Sequence, residues 1–277
     1  MRVIVNAISA NTGGIVTYTT NLIEFFSIRD IDVIVYVPRW FDTSPFAHLK
    51  VSVRRVKTRF YGPIHRFIWE QTVWRKIIND SGADLIFSSA NYGVLFPTIP
   101  QVLLVQGEIY LNPVYRERVL PNLSWRERLS AMLRRNLMLI SARHSRATIF
   151  PSEVAMRSAL DYDKNLAANA VVNYLGVNPR FSEPLRRRRW REDGYIRLLY
   201  VSVYYPHKDP STLADATLKM LEKGILVKTR ITMEERDFKA WDNAENELAY
   251  LKGKKFKDCL EMGRIEHEDL SNVLTHY

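Results

Sequence analysis

The sequence predicts an α/β protein built as two parallel-sheet domains in tandem, the second incomplete. Three observations predict it. Short runs rich in β-branched residues alternate with longer stretches of helical periodicity, the pattern of βα units on a parallel sheet. The alternation is interrupted at 177–195 by two prolines, a glycine and a charge run. It then resumes for only three βα units, fewer than open parallel sheets usually carry.

Each element follows from its residues. Strands are expected at 2–7, 32–37, 51–56, 84–87, 101–106, 147–150 and 170–173, where apolar and β-branched residues cluster. Helices are expected between them at 15–27, 64–79, 124–143 and 153–160. In the first, Ile15, Tyr18, Leu22 and Phe25 recur at helical spacing and would line one face. These pieces form an N-terminal domain over 1–177. After the linker the C-terminal domain, 178–277, reads strand 196–202, helix 208–223, strand 225–232, helix 238–252, strand 258–262 and the start of a helix at 268–277. Ligands of open parallel sheets bind beyond the C-terminal ends of the strands, so two such domains would share a cleft suited to a small molecule.

Composition narrows the class. At 47% hydrophobic and 25% charged, the 277-residue chain has enough apolar material for a core and too much for a disordered protein. The single cysteine, Cys259, excludes an internal disulfide and a cysteine-rich metal site. His48, His65, His144, His267 and His276 show no ligand spacing, so no metal is expected. There is no secretory pattern at the start and no apolar run of about 18 residues, which makes a cytoplasmic protein the expectation. Asp161 and Asp163 read as helix terminators. Phe60, Tyr61, Phe67, Trp69 and Trp74 read as core.

Charge is the first pointer to a ligand. Forty Lys and Arg against thirty Asp and Glu give +10, a field that attracts phosphate as nucleic acid, anionic lipid or phosphorylated small molecules. Residues 113–146 hold eight arginines and two glutamates, and 186–189 is an arginine run. Within 124–143, Trp125, Leu129, Met132/Leu133 and Leu137/Ile140 make an apolar stripe flanked by Arg126, Arg128, Arg134 and Arg135. That is either an interfacial helix on an anionic membrane surface, here the inner face, or a core helix with a solvated basic side. No helix-turn-helix, zinc-finger or RNA-recognition pattern supports nucleic acid as a partner.

Two short segments carry candidate chemistry. Gly13 and Gly14, in ANTGGIVTYTTNL, fall between the first strand and first helix. Without a Cβ their amides can approach a phosphate at a helix start; a tight βα turn reads the same way. In LLYVSVYYPHKDPSTLADATLKML, Lys208 falls at or just before a helix, close to the end of a strand, where a flexible ammonium can reach a diphosphate. His207 beside it is a second phosphate candidate, or a plain loop residue.

With these segments in place, the chain resembles the family 4 retaining glycosyltransferases of the GT-B architecture, which pairs two Rossmann-like domains. The resemblance rests on five blocks in family order: the Gly-Gly loop, ATIFPSEVAMRSAL (147–160), VVNYLGVNPRFSEP (171–184), YVSVYYPHKDPSTLADA (200–216) and CLEMGRIEHEDLSNVL (259–274). It implies metal-independent transfer of a sugar from a nucleotide-diphosphate sugar to a glycan or lipid-linked acceptor, with retention. The donor is a substrate, so no cofactor is implied. Lys208 would be the catalytic cation stabilising the departing diphosphate, with amides around Gly14 facing the phosphates or sugar. The backbone near Met233 and around Arg264 and Ile265 would hold the base. Ser202 and Val203 stand where the family places a glycine and an arginine, so one diphosphate cation is absent. Gln106 and Gly107 replace a His-Asp pair, and Gln106 would hydrogen-bond a sugar hydroxyl. The family's two donor-contacting glutamates lie beyond residue 277, so a truncated chain, weak for donor and inactive or nearly so, is expected. The alternative is a non-catalytic basic protein on the same scaffold, binding anionic lipid or nucleic acid.

Overall fold

The N-terminal fold is built outward from β1 (Arg2–Asn6), where Val3, Ile4 and Val5 are buried. The computed structural model describes residues 1–11, 13–58, 62–176, 193–242, 244–266 and 269–274, of which 271 and 272 by backbone alone. The described chain forms two compact units, Met1–Gly176 and Val177–Tyr277. In the first, β2 (Asp32–Pro38), β3 (Ser52–Val56), β4 (Leu85–Ser88), β5 (Gln101–Leu104), β6 (Ala147–Phe150) and β7 (Ala170–Val172) join β1 in one parallel sheet ordered β3-β2-β1-β4-β5-β6-β7. β1 therefore has a neighbour on each edge, and its last residue, Asn6, lies opposite Tyr36 and Ser88.

Helices cover both faces, as a parallel sheet requires. On one, α1 (Gly14–Ser27) packs Ile23 against Val3, Val5, Val33 and Val35. On the other, α2 (Pro63–Trp69) runs through a π-helical turn, Glu70–Trp74, into α3 (Arg75–Ser81), which places Trp69, Trp74 and Ile78 on Ile4 and Ile86. The expected helix over 64–79 is thus interrupted by a wider turn, where the Thr72 hydroxyl bonds back to the Ile68 carbonyl at 2.8 Å. α4 (Trp125–Arg143) and α5 (Glu153–Tyr162) cover β5 and β6 through Leu103, Met138, Ala142 and Phe150.

Serine caps fix the starts of α4 and α5. The Ser124 hydroxyl accepts from the Glu127 amide while Glu127 Oε2 accepts from the Ser124 amide at 2.9 Å, a reciprocal box. Ser152 caps α5. Of the apolar stripe expected along 124–143, Trp125, Leu129 and Met132 are exposed, whereas Leu133, Leu137 and Ile140 are half-buried, with Leu137 packed on the core that Met138 and Ala142 join. Asp163 ends α5 and is held by Arg143 at 2.5 Å.

The second unit repeats the winding on a smaller scale. Parallel β8 (Ile196–Tyr200), β9 (Val227–Ile231) and β10 (Leu260–Met262) lie in the order β10-β9-β8, so β8 has a partner strand on one edge only among the described residues. α6 (Pro210–Glu222) begins two residues later than expected, because Asp209 caps it and Pro210 occupies its first position. The helix expected over 238–252 is shortened to α8 (Glu245–Leu251), with a separate short helix, α7 (Glu235–Phe238), ahead of it, and α9 (Leu270–Leu274) follows β10. Phe238, Leu251 and Phe256 pack with Met233 and Ile231 into one core. Most of the proposed linker, Phe60, Tyr61, His267 and His276 lie outside the described residues. Among the described residues no helix is long and apolar enough to cross a membrane.

Candidate functional site

In the C-terminal unit the predicted residues follow the C-terminal ends of the three strands, and of them only Met233 lines the cavity found there. The Ser202 amide donates to Thr232 Oγ1 at 2.9 Å, tying the exit of β8 to the exit of β9. The Gly263 amide donates to the Ile231 carbonyl at 3.0 Å, tying the exit of β10 to β9. Met233 is fully buried beneath these exits. It lines a cavity of about 440 Å³ with Leu251, Phe256, Leu260, Met262 and Gly263. Arg264 is exposed and paired with Glu266 at 3.1 Å, and Ile265 is half-buried.

Lys208 sits in the turn between β8 and α6. Its amide donates to the Tyr205 carbonyl at 2.8 Å and its carbonyl accepts from the Tyr200 hydroxyl at 2.7 Å, so the backbone is fixed at both ends. The side chain is half-buried and makes no ion pair or hydrogen bond with any described residue. A held backbone with an uncommitted ammonium is what a mobile phosphate ligand needs. His207 differs: burial, then the neighbouring Lys208, pushes its imidazole down to about 4, so it is neutral at physiological pH. It stacks on Tyr205 at 5.6 Å. It can offer a hydrogen bond, not a charge. Val203, 48% exposed, offers neither.

The loop is held from behind by a residue that sequence reasoning did not single out. Glu247 accepts from the Tyr204 hydroxyl at 2.7 Å and the Ser211 hydroxyl at 2.8 Å, and Tyr204 stacks on Phe238 at 3.9 Å. Only the fold brings a helix residue at 247 to a loop at 204, so no local signal could have revealed it.

In the N-terminal unit, Gly13 adopts a φ of 68°, a left-handed value that glycine accepts without strain, and α1 starts at Gly14. A Cβ at either glycine would meet nothing within 4 Å, so the backbone there is open. Among the described residues no side chain caps α1, and its first turn holds no acidic residue. Its leading amides are left for an external acceptor.

Gln106 follows β5, which ends two residues earlier than expected, at Leu104. Both the Gln106 and Gly107 amides donate to Asn91 Oδ1 at 2.7 Å. Asn91 itself holds a φ of 69°, a strained value for a side-chain-bearing residue that persists where surroundings fix it. The Gln106 carboxamide makes no hydrogen bond with any described residue. Among the described residues no three His, Cys, Asp or Glu side chains gather as a metal ion would require.

Two units, each a parallel sheet with helices wound on it, make up the GT-B scaffold. The glycosyltransferase family 4 model matches residues 12–181, and the chain belongs to that family. No curated protein sequence matches significantly. Solved structures agree in fold. Sucrose-phosphate synthase from Thermosynechococcus elongatus superposes with a TM-score of 0.69 at 12% identity, over 99% of this chain and 73% of that one. WaaG, a glycosyltransferase involved in lipopolysaccharide biosynthesis, gives 0.63 at 11%, over 99% and 72%. Anabaena HepE in complex with UDP and glucose gives 0.60 at 14%, over 99% and 72%.

Proposed function

We propose that this glycosyltransferase moves a sugar from a nucleoside-diphosphate sugar to a hydroxyl of a glycan or lipid-linked acceptor, with retention and without a metal. The observation that carries the reading is Lys208, an unpaired cation on a fixed backbone at the end of β8, in a chain that belongs to family 4. As the glycosidic bond lengthens, negative charge builds on the leaving diphosphate. A cation positioned beforehand lowers the energy of that charge without reorganising. The cavity beside Met233 and Gly263 would take the nucleoside. The open amides at Gly13 and Gly14 and the uncommitted Gln106 carboxamide would serve the sugar and acceptor hydroxyls.

The membrane reading is supported by α4. Trp125, Leu129 and Met132 recur at i, i+4 and i+7 and are 69%, 44% and 42% exposed. Leu129 and Met132 line a cavity of about 310 Å³ together with Arg116, Arg128 and Arg135. Apolar side chains ringed by arginine match the surface of an anionic bilayer, and we assign that surface as the partner of 124–143, from the cytoplasmic side.

The test is turnover. Labelled UDP-, GDP-, TDP- and ADP-sugars are offered with lipid-linked and free glycan acceptors, with and without EDTA. One donor should give a product of unchanged anomeric configuration, insensitive to EDTA. Inversion, or loss of activity with the chelator, would overturn the corresponding part. Flotation with vesicles should rise with anionic lipid and fall with salt; binding indifferent to lipid charge would remove the membrane.

A further inference from the structure

The N-terminal unit buries one carboxylate completely, and its geometry is not that of a simple ion pair. Glu70 opens the π-helical turn between α2 and α3 and has no exposed surface. Three donors converge on its Oε1: Arg66 Nε at 3.1 Å, Arg66 Nη2 at 3.0 Å and Asn6 Nδ2 at 3.1 Å. Its Oε2 is buried with no partner. The buried hydroxyl of Ser88, the register neighbour of Asn6, also lacks one.

Arg66 is fixed as firmly as a guanidinium can be. Nη2 also donates to the Ala90 carbonyl at 2.6 Å, and the guanidinium carbon lies 4.9 Å from the centre of the Tyr92 ring. The side chain is 13% exposed, and Nη1 makes no hydrogen bond with any described residue. All of this stands at the C-terminal ends of β1 and β4, where the strand order reverses and open parallel sheets take their ligands. A pair serving only to tie α2 to the sheet would use both carboxylate oxygens and bury the whole guanidinium. Here one oxygen is left without a donor and one nitrogen edge is left over.

We propose that Arg66 binds an oxyanion, a phosphate or carboxylate of the acceptor, with Glu70 as the positioning residue that takes up a proton when the anion arrives. That the anion belongs to an acceptor rests on the glycosyltransferase reading; the anion site itself does not. No covalent step is involved: the proton comes from solvent and goes to the unpartnered carboxylate oxygen.

The direction of the coupling follows from the charges. An anion beside Arg66 repels an ionised Glu70, so binding favours the neutral carboxyl and is favoured by it. Burial already pushes Glu70 up to about 7, against the pull of Arg66 and of the Asn6 amide. Among the described residues Tyr92, from the turn after β4, is a further titratable group coupled to Glu70, and Arg134 of α4 and Tyr110 act on Tyr92 in turn.

The probe is sulfate, which stays a dianion across the range used, read through the Arg66 Nε–H signal in arginine-labelled full-length protein. Arg66→Lys identifies that signal. Sulfate should shift it saturably, with a dissociation constant several-fold tighter at about pH 6 than at about pH 8. Glu70→Gln should bind at both pH values as tightly as the wild type does at the lower. An Arg66 signal unmoved by tens of millimolar sulfate overturns the site. A shift with no pH dependence in the wild type overturns the role of Glu70, and needs no variant to fold. Absence of sugar transfer would sink the enzyme reading while leaving this measurement standing.

Discussion

The first strands of the two units occupy equivalent places and have different fates. β1 and β8 are both short, mostly apolar and each followed by a helix. Yet Val3, Ile4 and Val5 are buried, whereas every residue of β8 is only half-buried. The difference lies in the neighbours. β1 is paired by β2 and β4, while β8 is paired by β9 alone among the described residues. Burial is conferred by what lies on both edges, and the polar chemistry follows it. The N-terminal unit fixes a guanidinium at depth through a fully buried carboxylate; the C-terminal unit presents a half-buried lysine on a loop. One design is preorganised and the other adaptable.

The largest test of that contrast is in the cores. Trp74→Ala empties a fully buried site and should destabilise the N-terminal unit by about 3–5 kcal/mol. Unfolding followed by probes in each unit should show the loss in that unit alone. Equal losses in both would make the chain one cooperative body and end the comparison. Next is pH. Glu70 has its folded value, about 7, above its ordinary 4.5, so the folded state binds more protons between them and stability falls as pH rises through that window. Each pH unit of that window is worth about 1.4 kcal/mol, so the loss reaches ~3 kcal/mol across it. It should vanish in Glu70→Gln. A flat wild-type profile would mean that the carboxylate is better solvated than its burial implies.

A third test sits in the C-terminal unit. Lys208→Ala should weaken UDP by roughly 1–3 kcal/mol, the scale of a hydrogen bond to a charged group, and leave uridine unchanged. Equal losses for both would remove Lys208 from the diphosphate.

How much of this was legible depended on range. The winding was visible because β-branched runs such as 32–37 and 147–150 need only local pattern, and the Gly13 turn and Lys208 announce themselves within a few residues. The late start of the helix expected over 238–252 was not visible, because it goes with the packing of Phe238 and Leu251, from two separate helices, into one core. Arg66 and Glu70 stand four apart, an ordinary helix-surface spacing. Nothing local says that the pair faces inward; that comes from Asn6 and Ala90, which are distant in sequence. Likewise nothing local separated the exposed part of the 124–143 stripe, Trp125, Leu129 and Met132, from the half-buried part, Leu133, Leu137 and Ile140.

The smallest effect separates a cap from a strained backbone next to Lys208. Asp209 has a φ of 45°, and its carboxylate accepts from the Thr212 amide at 3.3 Å, the Thr212 hydroxyl at 2.7 Å and the Ser211 hydroxyl at 2.8 Å. Asp209→Ala loses the cap and keeps a side chain in the left-handed region, so the C-terminal unit should lose about 1–2 kcal/mol. Asp209→Gly loses the same cap but removes the strain, and the net change should be a few tenths of a kcal/mol. Ser124, the cap of α4 in the other unit, has a φ of −61° and carries no such strain. There the alanine and glycine variants should differ only by their ordinary capping difference. Denaturant midpoints of the four variants give the comparison directly. If Asp209→Gly is as damaging as Asp209→Ala, the hydrogen bonds and not the backbone hold this turn. The position of Lys208 would then depend on the Asp209 carboxylate itself, and UDP affinity should fall in both variants together.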